Sequence, residues 1–188
     1  MLPLGDKSRH TEIPRGAQGQ VDTSPTESVR LAAMDDLAEL HRFNAWANRG
    51  LLAGVRQLSP EQLDEQQDGM YRTILGVLRH LAQVEFAYLS LMRGQSLDRG
   101  EFTAPWGLDQ VEDVLGKTGP GLVEVARSAT PDATFHIPWF QRDFTFLQGL
   151  GQVLTHSINH RADINQWLPR FGVDSTDQDY IDLVFSES

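Results

Sequence analysis

The histidines of this chain include a pair with the residue type and spacing of a metal site. His156 and His160 stand four residues apart in the segment HSINH. Residues four apart on a helix share one face, where two imidazoles can reach the same ion at roughly 2.0–2.1 Å. Taken alone, this spacing leaves two interpretations open: a ligand pair, or a chance pattern with one histidine at the surface and one in the core.

His80 adds a third candidate ligand from another part of the chain. It lies three residues after Val77 and four before Val84, on or beside the apolar stripe of its own predicted helix. A lone histidine there is more often a hydrogen-bonded core residue than a ligand. Two inward-facing sites on separate helices, however, supply the three protein ligands of an open metal site, as in catalytic zinc sites. We predict a divalent metal bound by His80, His156 and His160; the alternative is three core histidines without a metal.

Other sources of chemistry are missing from the sequence. The chain has no cysteine, which excludes disulfides, thiolate ligands and a cysteine nucleophile. Imidazole and carboxylate groups must therefore hold any transition metal. The sequence contains neither a G-x-S-x-G nucleophile motif nor a phosphate-binding glycine loop. The metal is thus the one evident source of a reaction.

Charge and hydropathy restrict the partners. The net charge is −10 and the 16 Lys and Arg residues are scattered, which argues against nucleic acid as the main partner. No run approaches the roughly 18 consecutive apolar residues of a membrane span, and the N-terminus lacks the features of a secretory signal. We expect a cytoplasmic protein with a small-molecule partner and no membrane partner.

Hydrophobic periodicity predicts four helical segments. Apolar residues recur at steps of three and four in three of them, and the pattern of the other segment is weaker. Four segments, each of roughly 20 residues or more, fit an all-α fold that is an antiparallel four-helix bundle. The predicted bounds are Thr26 or Ser28 to about Leu58, Thr73 to Arg93, Asp109 to Ser128, and Leu147 to Arg170.

Glycine, proline and aromatic residues interrupt this helical pattern. Gly119-Pro120-Gly121 predicts a kink or break in the weaker segment. Residues 134–146 alternate or cluster aromatic and β-branched residues, which predicts a small hairpin or an extended loop before the last long helix. The tail, residues 177–185, is too apolar for a free end, so we expect it to pack on the bundle.

The chain divides into a leader and one domain. Residues 1–25 are polar and contain glycine and proline without any periodicity, which is typical of a flexible leader. Residues 26–188 are then a single four-helix-bundle domain. Because such bundles often pair through an exposed helix face, a homodimer is also considered.

Several segments resemble the DinB/YfiT-like superfamily of metalloenzymes, which includes thiol S-transferases that act with bacillithiol or mycothiol. The similarity covers the chain from about residue 34 to the end. Each segment is a weak match alone, and their order makes the resemblance specific. The segments are FNAWANRGLL (43–52), TILGVLRHL (73–81), HSINHRADINQWL (156–168) and DYIDLVF (179–185).

The resemblance implies a bundle in which His80, His156 and His160 hold a divalent ion, zinc or nickel, with open positions. Activation of water or of a low-molecular-weight thiol at such an ion leads to hydrolysis or to S-transfer, a detoxification or stress-response reaction. The alternative function is a non-catalytic bundle that binds a metal or a small molecule. Where family members often have Gly-Gln after the arginine, this chain has Ala162-Asp163.

Polar residues near the histidines in sequence are candidates for orienting them. An imidazole ligand usually donates its second N–H to a carboxylate, a carbonyl or water. Glu85, Asp163 and Asn159 are the candidates, and a solvated position on the helix surface is the alternative for each. We expect His41 at the surface or rim of the bundle, and His136 could line the mouth of the site.

Overall fold

The fold is described by a computed structural model that covers residues 27–66, 68–69, 72–98, 100, 103–130, 132–176 and 179–187. The predicted leader, residues 1–25, and the predicted start at Thr26 lie outside this part of the chain. The described elements are α1 (Glu27–Val55), α2 (Pro60–Asp64), α3 (Ile74–Met92), α4 (Leu108–Ser128), β1 (Thr134–Ile137), β2 (Arg142–Thr145), α5 (Phe146–Asn165), a 3-10 helix (Leu168–Phe171) and α6 (Tyr180–Ser186).

The four long helices α1, α3, α4 and α5 form the bundle. Helix α1 packs against α4 and α5, and α3 packs against the same two helices. Between α4 and α5 the chain makes the antiparallel hairpin β1–β2, in which Thr134 pairs with Thr145 and Ile137 with Arg142. The predicted all-α four-helix bundle with a hairpin before the last long helix is confirmed.

Hydroxyl side chains begin the two helices that carry the histidines. The Thr73 side chain accepts a hydrogen bond from the Gly76 amide at the start of α3. The Thr145 side chain accepts one from the Gln148 amide at the start of α5, and the Gln148 side chain accepts one in return from the Thr145 amide. Each cap satisfies an amide that has no partner within its helix, and so fixes where the helix begins.

The last long helix is shorter than its sequence pattern predicts. Helix α5 ends at Asn165, and a separate 3-10 turn follows from Leu168 to Phe171. Pro169 accounts for the difference, because its ring removes a backbone donor and disfavours α-helical geometry in the preceding residue. Gly172 then ends the turn with φ +77, a left-handed conformation that favours glycine.

Of the kink or break predicted at residues 119–121, the break is wrong, because α4 is helical through Pro120. The flanking glycines serve helix packing instead. A Cβ atom on Gly119 would lie 2.7 Å from the Ala45 Cβ of α1, and one on Gly121 would lie 2.6 Å from the Leu89 side chain of α3. The glycines therefore allow α4 to approach both neighbours closely, and this packing outweighs the local helix-breaking tendency.

Two apolar clusters fill the bundle around its polar centre. One surrounds Leu78 and Ile164 near the α2 end, and the other surrounds Leu122 and Leu150 near the hairpin. The tail packs on the bundle as expected, since Leu183 is buried against Phe43 and Ala47 of α1. None of the helices in the described residues has the length and apolar character that crossing a bilayer requires.

Two apolar residues that follow the helical spacing of the buried faces are exposed. Leu40 of α1 retains 38% of its accessible surface, and Ile158 of α5 retains 43%. Both lie at the edge of an apolar stripe, where the periodicity of the sequence is compatible with a buried or an exposed position.

Two glycines of α4 offer a matched test of this packing. We expect Gly119→Ala to destabilise the protein by about 1–3 kcal/mol, since the new methyl group would meet Ala45 on a neighbouring helix. Gly116→Ala is the control: a Cβ atom added there would meet nothing within 4 Å, so the higher helix propensity of alanine should stabilise the fold by about 0.5–1 kcal/mol. Urea unfolding measures both, and equal effects of the same sign would contradict the close approach.

Candidate metal centre

The structure brings His80, His156 and His160 together. His80 is on α3, and the other two histidines are one turn apart on α5. The Nε2 atoms of His80 and His156 are 3.3 Å apart, and one ring nitrogen from each of the three residues lies within 4.8 Å of the others. The three side chains are partly buried, so the cluster is sheltered by the bundle and still open on one side.

The spacing of these nitrogens fits a divalent ion. Two ligand nitrogens that each lie roughly 2.0–2.1 Å from a tetrahedral ion are about 3.3–3.4 Å apart. The His80–His156 separation of 3.3 Å already has this value. The other ligand nitrogens lie within 4.8 Å of one another. Rotation of the partly buried imidazoles would bring them to the separation that an ion requires. A set of three imidazoles suits zinc, nickel, copper and iron.

Burial keeps the two facing histidines neutral. It lowers the pKa of His80 to about 4 and that of His156 to about 4, so both imidazoles hold a free lone pair at neutral pH. The His156 Nδ1 atom is buried and has no hydrogen-bond partner among the described residues. A neutral imidazole is what a metal ligand requires, because a protonated imidazole has no lone pair to donate.

Asp163 lies where it can orient His160. Its Oδ2 atom is 3.1 Å from His160 Nδ1. A carboxylate at Nδ1 favours the tautomer that carries its proton there and leaves the Nε2 lone pair free for an ion. The side chain of Asn159 is exposed, and no described residue hydrogen-bonds it. Of the polar candidates on α5, the structure therefore brings Asp163, and not Asn159, to the cluster.

Glu85 was a candidate for orienting a histidine ligand, and the structure places it in a separate polar network. Its carboxylate is fully buried and accepts hydrogen bonds from the side chains of four residues on the other three long helices. On α1 these donors are Asn44 at 2.8 Å and Asn48 at 2.9 Å. Thr118 of α4 donates at 2.8 Å and Ser157 of α5 at 3.0 Å. The described hydrogen bonds of Glu85 thus join the helices and do not involve a histidine.

Arg161 completes this network with a buried positive charge. Its Nη1 atom donates to the side-chain oxygens of Asn44 and Asn48, at 2.9 Å in the second case. Burial lowers the pKa of Arg161 to about 10, and the Glu85 carboxylate acts in the opposite direction, so the guanidinium stays charged at neutral pH. The two asparagines therefore bridge a carboxylate and a guanidinium in the bundle centre.

The remaining histidines in the described residues lie apart from the cluster. His41 is buried, which contradicts its expected place at the surface or rim. Its Nε2 atom is 3.2 Å from the Leu150 carbonyl oxygen, and its Nδ1 atom has no described partner. His136 is exposed on the hairpin, with its Nδ1 atom 2.7 Å from the Asp143 carboxylate, and it does not belong to the three-histidine group.

Comparison with known proteins agrees with this geometry. The family model of the DinB superfamily matches residues 45–164, which is more than half of the chain and includes the three clustered histidines. No curated protein matches the chain.

The buried charges of Glu85 and Arg161 should depend on each other. Glu85→Gln leaves the guanidinium without its countercharge, and we expect it to cost about 3–5 kcal/mol of unfolding free energy. Glu112→Gln is the control, since this exposed carboxylate pairs with Arg56 at the surface and should cost less than about 1 kcal/mol.

A double-mutant cycle tests that dependence. In urea unfolding, Glu85→Gln combined with Arg161→Met should cost about 1–3 kcal/mol less than the sum of the single variants. Additive effects would show that the two charges do not interact.

His41 should make the fold sensitive to mild acid. Burial lowers its pKa from 6.5 to about 4, so between these pH values the unfolded chain binds more protons than the folded one. Its contribution to stability is complete above pH 6.5 and is lost as the pH falls toward 4, by about 2 kcal/mol between pH 7 and pH 5.

The variant His41→Leu measures this contribution in metal-free protein. Its unfolding free energy should decline less steeply between pH 7 and pH 5 than that of the wild type. His136→Leu, which replaces an exposed histidine, should retain the steeper decline. An unchanged slope in His41→Leu would contradict the assignment.

Proposed function

Because the chain belongs to the DinB superfamily, we propose that it is a metal-dependent enzyme that uses His80, His156 and His160 to hold a divalent ion, with zinc and nickel as the expected metals. The ion would serve to activate water or a low-molecular-weight thiol for reaction with a small-molecule substrate. The reaction is then hydrolysis or thiol S-transfer, the second being a detoxification of the electrophile.

One observation carries this proposal: a cluster of three imidazoles that offers an incomplete ligand set. In the described part of the chain the group contains three ligand residues, all of them histidines. Structural zinc sites are normally closed by four protein ligands, whereas sites with three keep a position for water or substrate. The donor set therefore supports a reactive site better than a purely structural one.

A divalent ion bound here supplies Lewis-acid chemistry, which lowers the pKa of a coordinated water or thiol toward neutrality. The protein residues prepare the site for it. Burial keeps the lone pairs of His80 and His156 free, and Asp163 holds the proton of His160 on Nδ1. Since neither His80 nor His156 must lose a proton at neutral pH, two of the three imidazoles are ready to bind the metal.

The two reactions differ in their nucleophile and can be separated by experiment. In hydrolysis, water oxygen bonds to the electrophilic centre and the leaving group departs with its electron pair and takes up a proton. In S-transfer, the thiol loses its proton to solvent and its sulfur bonds to the electrophilic centre, while the leaving group departs with its electron pair and takes up a proton. A thiol added to the cobalt-loaded protein would produce a sulfur-to-cobalt charge-transfer band if S-transfer is the function, and activity toward esters or amides without that band would favour hydrolysis.

Metal content tests the ligand set directly. Purified wild-type protein, supplied with zinc or nickel and then dialysed, should retain about one ion per chain in plasma mass spectrometry. The variant carrying His156→Ala and His160→Ala should lose it, because one remaining imidazole cannot hold the ion. His136→Ala, a change at an exposed histidine of the hairpin, should bind like the wild type.

Two results would contradict the proposal at different points. The proposed metal site would be refuted if the wild-type chain retained no zinc or nickel. It would also be refuted if the double variant retained as much metal as the wild type. If the metal-loaded protein neither hydrolysed substrates nor transferred thiols, the metal site would stand and the enzymatic function would be refuted.

A further inference from the structure

A groove lies where α3 and α5 meet the hairpin. Its volume is about 360 Å³, within the range of roughly 300–1,000 Å³ that is typical of small-molecule sites. Residues from α3, β2, α5 and the turn of the hairpin line it: Tyr88, Phe140, Phe144, Gln148, Gly149 and Gln152.

Two residues of the groove lining, both on α5, share the helix face of His156. Gln152 precedes His156 by four residues, one helical turn or roughly 6 Å. Gly149 precedes His156 by seven residues, which places it on the same face of the helix. On α3, Tyr88 follows His80 by eight residues, roughly 12 Å along the axis. Along α5, Gln152 and Gly149 thus lie roughly 6 Å and 10 Å from His156, a span that a planar molecule of about 10 Å can cover.

The described lining of the groove contains rings and neutral amides but no charged side chain. Phe140 is 57% exposed beside Trp139 and Phe144, an unusual position for a large apolar ring. Such rings bind flat apolar surfaces by stacking.

Two hydrogen-bonding groups line the groove together with these rings: the Tyr88 hydroxyl and the Gln152 side-chain amide. No described residue hydrogen-bonds the Tyr88 hydroxyl or the Gln152 side-chain amide. Burial raises the pKa of Tyr88, so its hydroxyl keeps its proton and is available as a donor. These groups match a neutral acceptor such as a carbonyl or nitro oxygen.

We infer that this groove binds the substrate of the three-histidine centre, and that the substrate is a neutral, planar aromatic compound carrying a hydrogen-bond acceptor. The inference rests on the proposed function and adds the substrate class to it. The aromatic part lies against Phe140 and Phe144, and the acceptor lies near Gln152, which directs the far end of the molecule to His156.

An anionic substrate would be attracted by one cation near the groove, Arg142. The Arg142 guanidinium carbon lies 5.8 Å from the centre of the Phe144 ring, outside the groove lining. An anionic ring compound would pair with this exposed cation at the surface, whereas a neutral one would enter between the rings and amides. The two modes respond differently to the removal of Arg142.

Three naphthalene compounds of the same shape test the inference by calorimetry on metal-free protein: naphthalene-2-carboxamide, 2-naphthoate and 2-naphthylmethylammonium. The neutral amide should bind at least about tenfold more tightly than either ion, since charged groups lose hydration without gaining a partner. Phe140→Ala should weaken its binding about tenfold. Phe185→Ala, which removes a phenylalanine on α6 that is more exposed (70% against 57%), should leave it unchanged.

Binding of the amide with equal strength to both phenylalanine variants would overturn the inference. So would tighter binding of 2-naphthoate that is lost in Arg142→Gln. Since Phe140 and Phe185 are both exposed, neither variant is expected to unfold, and circular dichroism checks this.

Proximity to the histidines is measured in metal-loaded protein. Cobalt should broaden the NMR signals of the bound amide more strongly than zinc does, because the groove begins one turn from His156. If the wild-type protein binds the amide but retains no metal, the proposed function is refuted and the substrate inference is not. Metal retention without amide binding, or without cobalt broadening of the bound amide, would defeat the substrate inference alone.

Discussion

The buried carboxylate of Glu85 is the constraint on which the bundle depends. It has no accessible surface, so its charge must be satisfied by protein donors. These donors come from every other long helix: Asn44 and Asn48 from α1, Thr118 from α4 and Ser157 from α5. A rotation or a shift of any one helix by a residue would remove a bond from a buried charge, and the network therefore specifies the relative register of all four.

The same constraint positions the metal centre. Ser157 and Arg161 each directly follow a histidine of the HSINH segment, and both point to the Glu85 network. Successive residues on a helix differ by about 100° in direction, so anchoring these two side chains in the core turns His156 and His160 toward the gap between α5 and α3. His80 meets them there from α3. The polar core thus sets the orientation of the ligands, while the partial exposure of the imidazoles leaves room for a substrate.

Local features of the sequence were sufficient for the fold class and for the candidate pair His156 and His160, whereas the addition of His80 was supported by the family resemblance. The spacing of His156 and His160 and the capping residue Thr73 depend on helix geometry within one or two turns. Long-range packing was not accessible in this way. Gly119 and Gly121 read as a break, because only the structure shows that α1 and α3 lie against them. Likewise Glu85 is five residues from a histidine in sequence, yet its partners come from three other helices, and the asparagines that supply two of them carry no local pattern that marks them.

The most direct test of the account is the position of a bound ion in a crystal of the metal-loaded protein. Anomalous scattering recorded on both sides of the zinc absorption edge locates zinc independently of any assumed ligand. The account predicts a single strong peak within about 2.0–2.3 Å of one ring nitrogen from each of His80, His156 and His160, with a remaining position not taken by the protein. A peak held by other residues, a fourth protein ligand that closes the site, or no peak at the three histidines would contradict it.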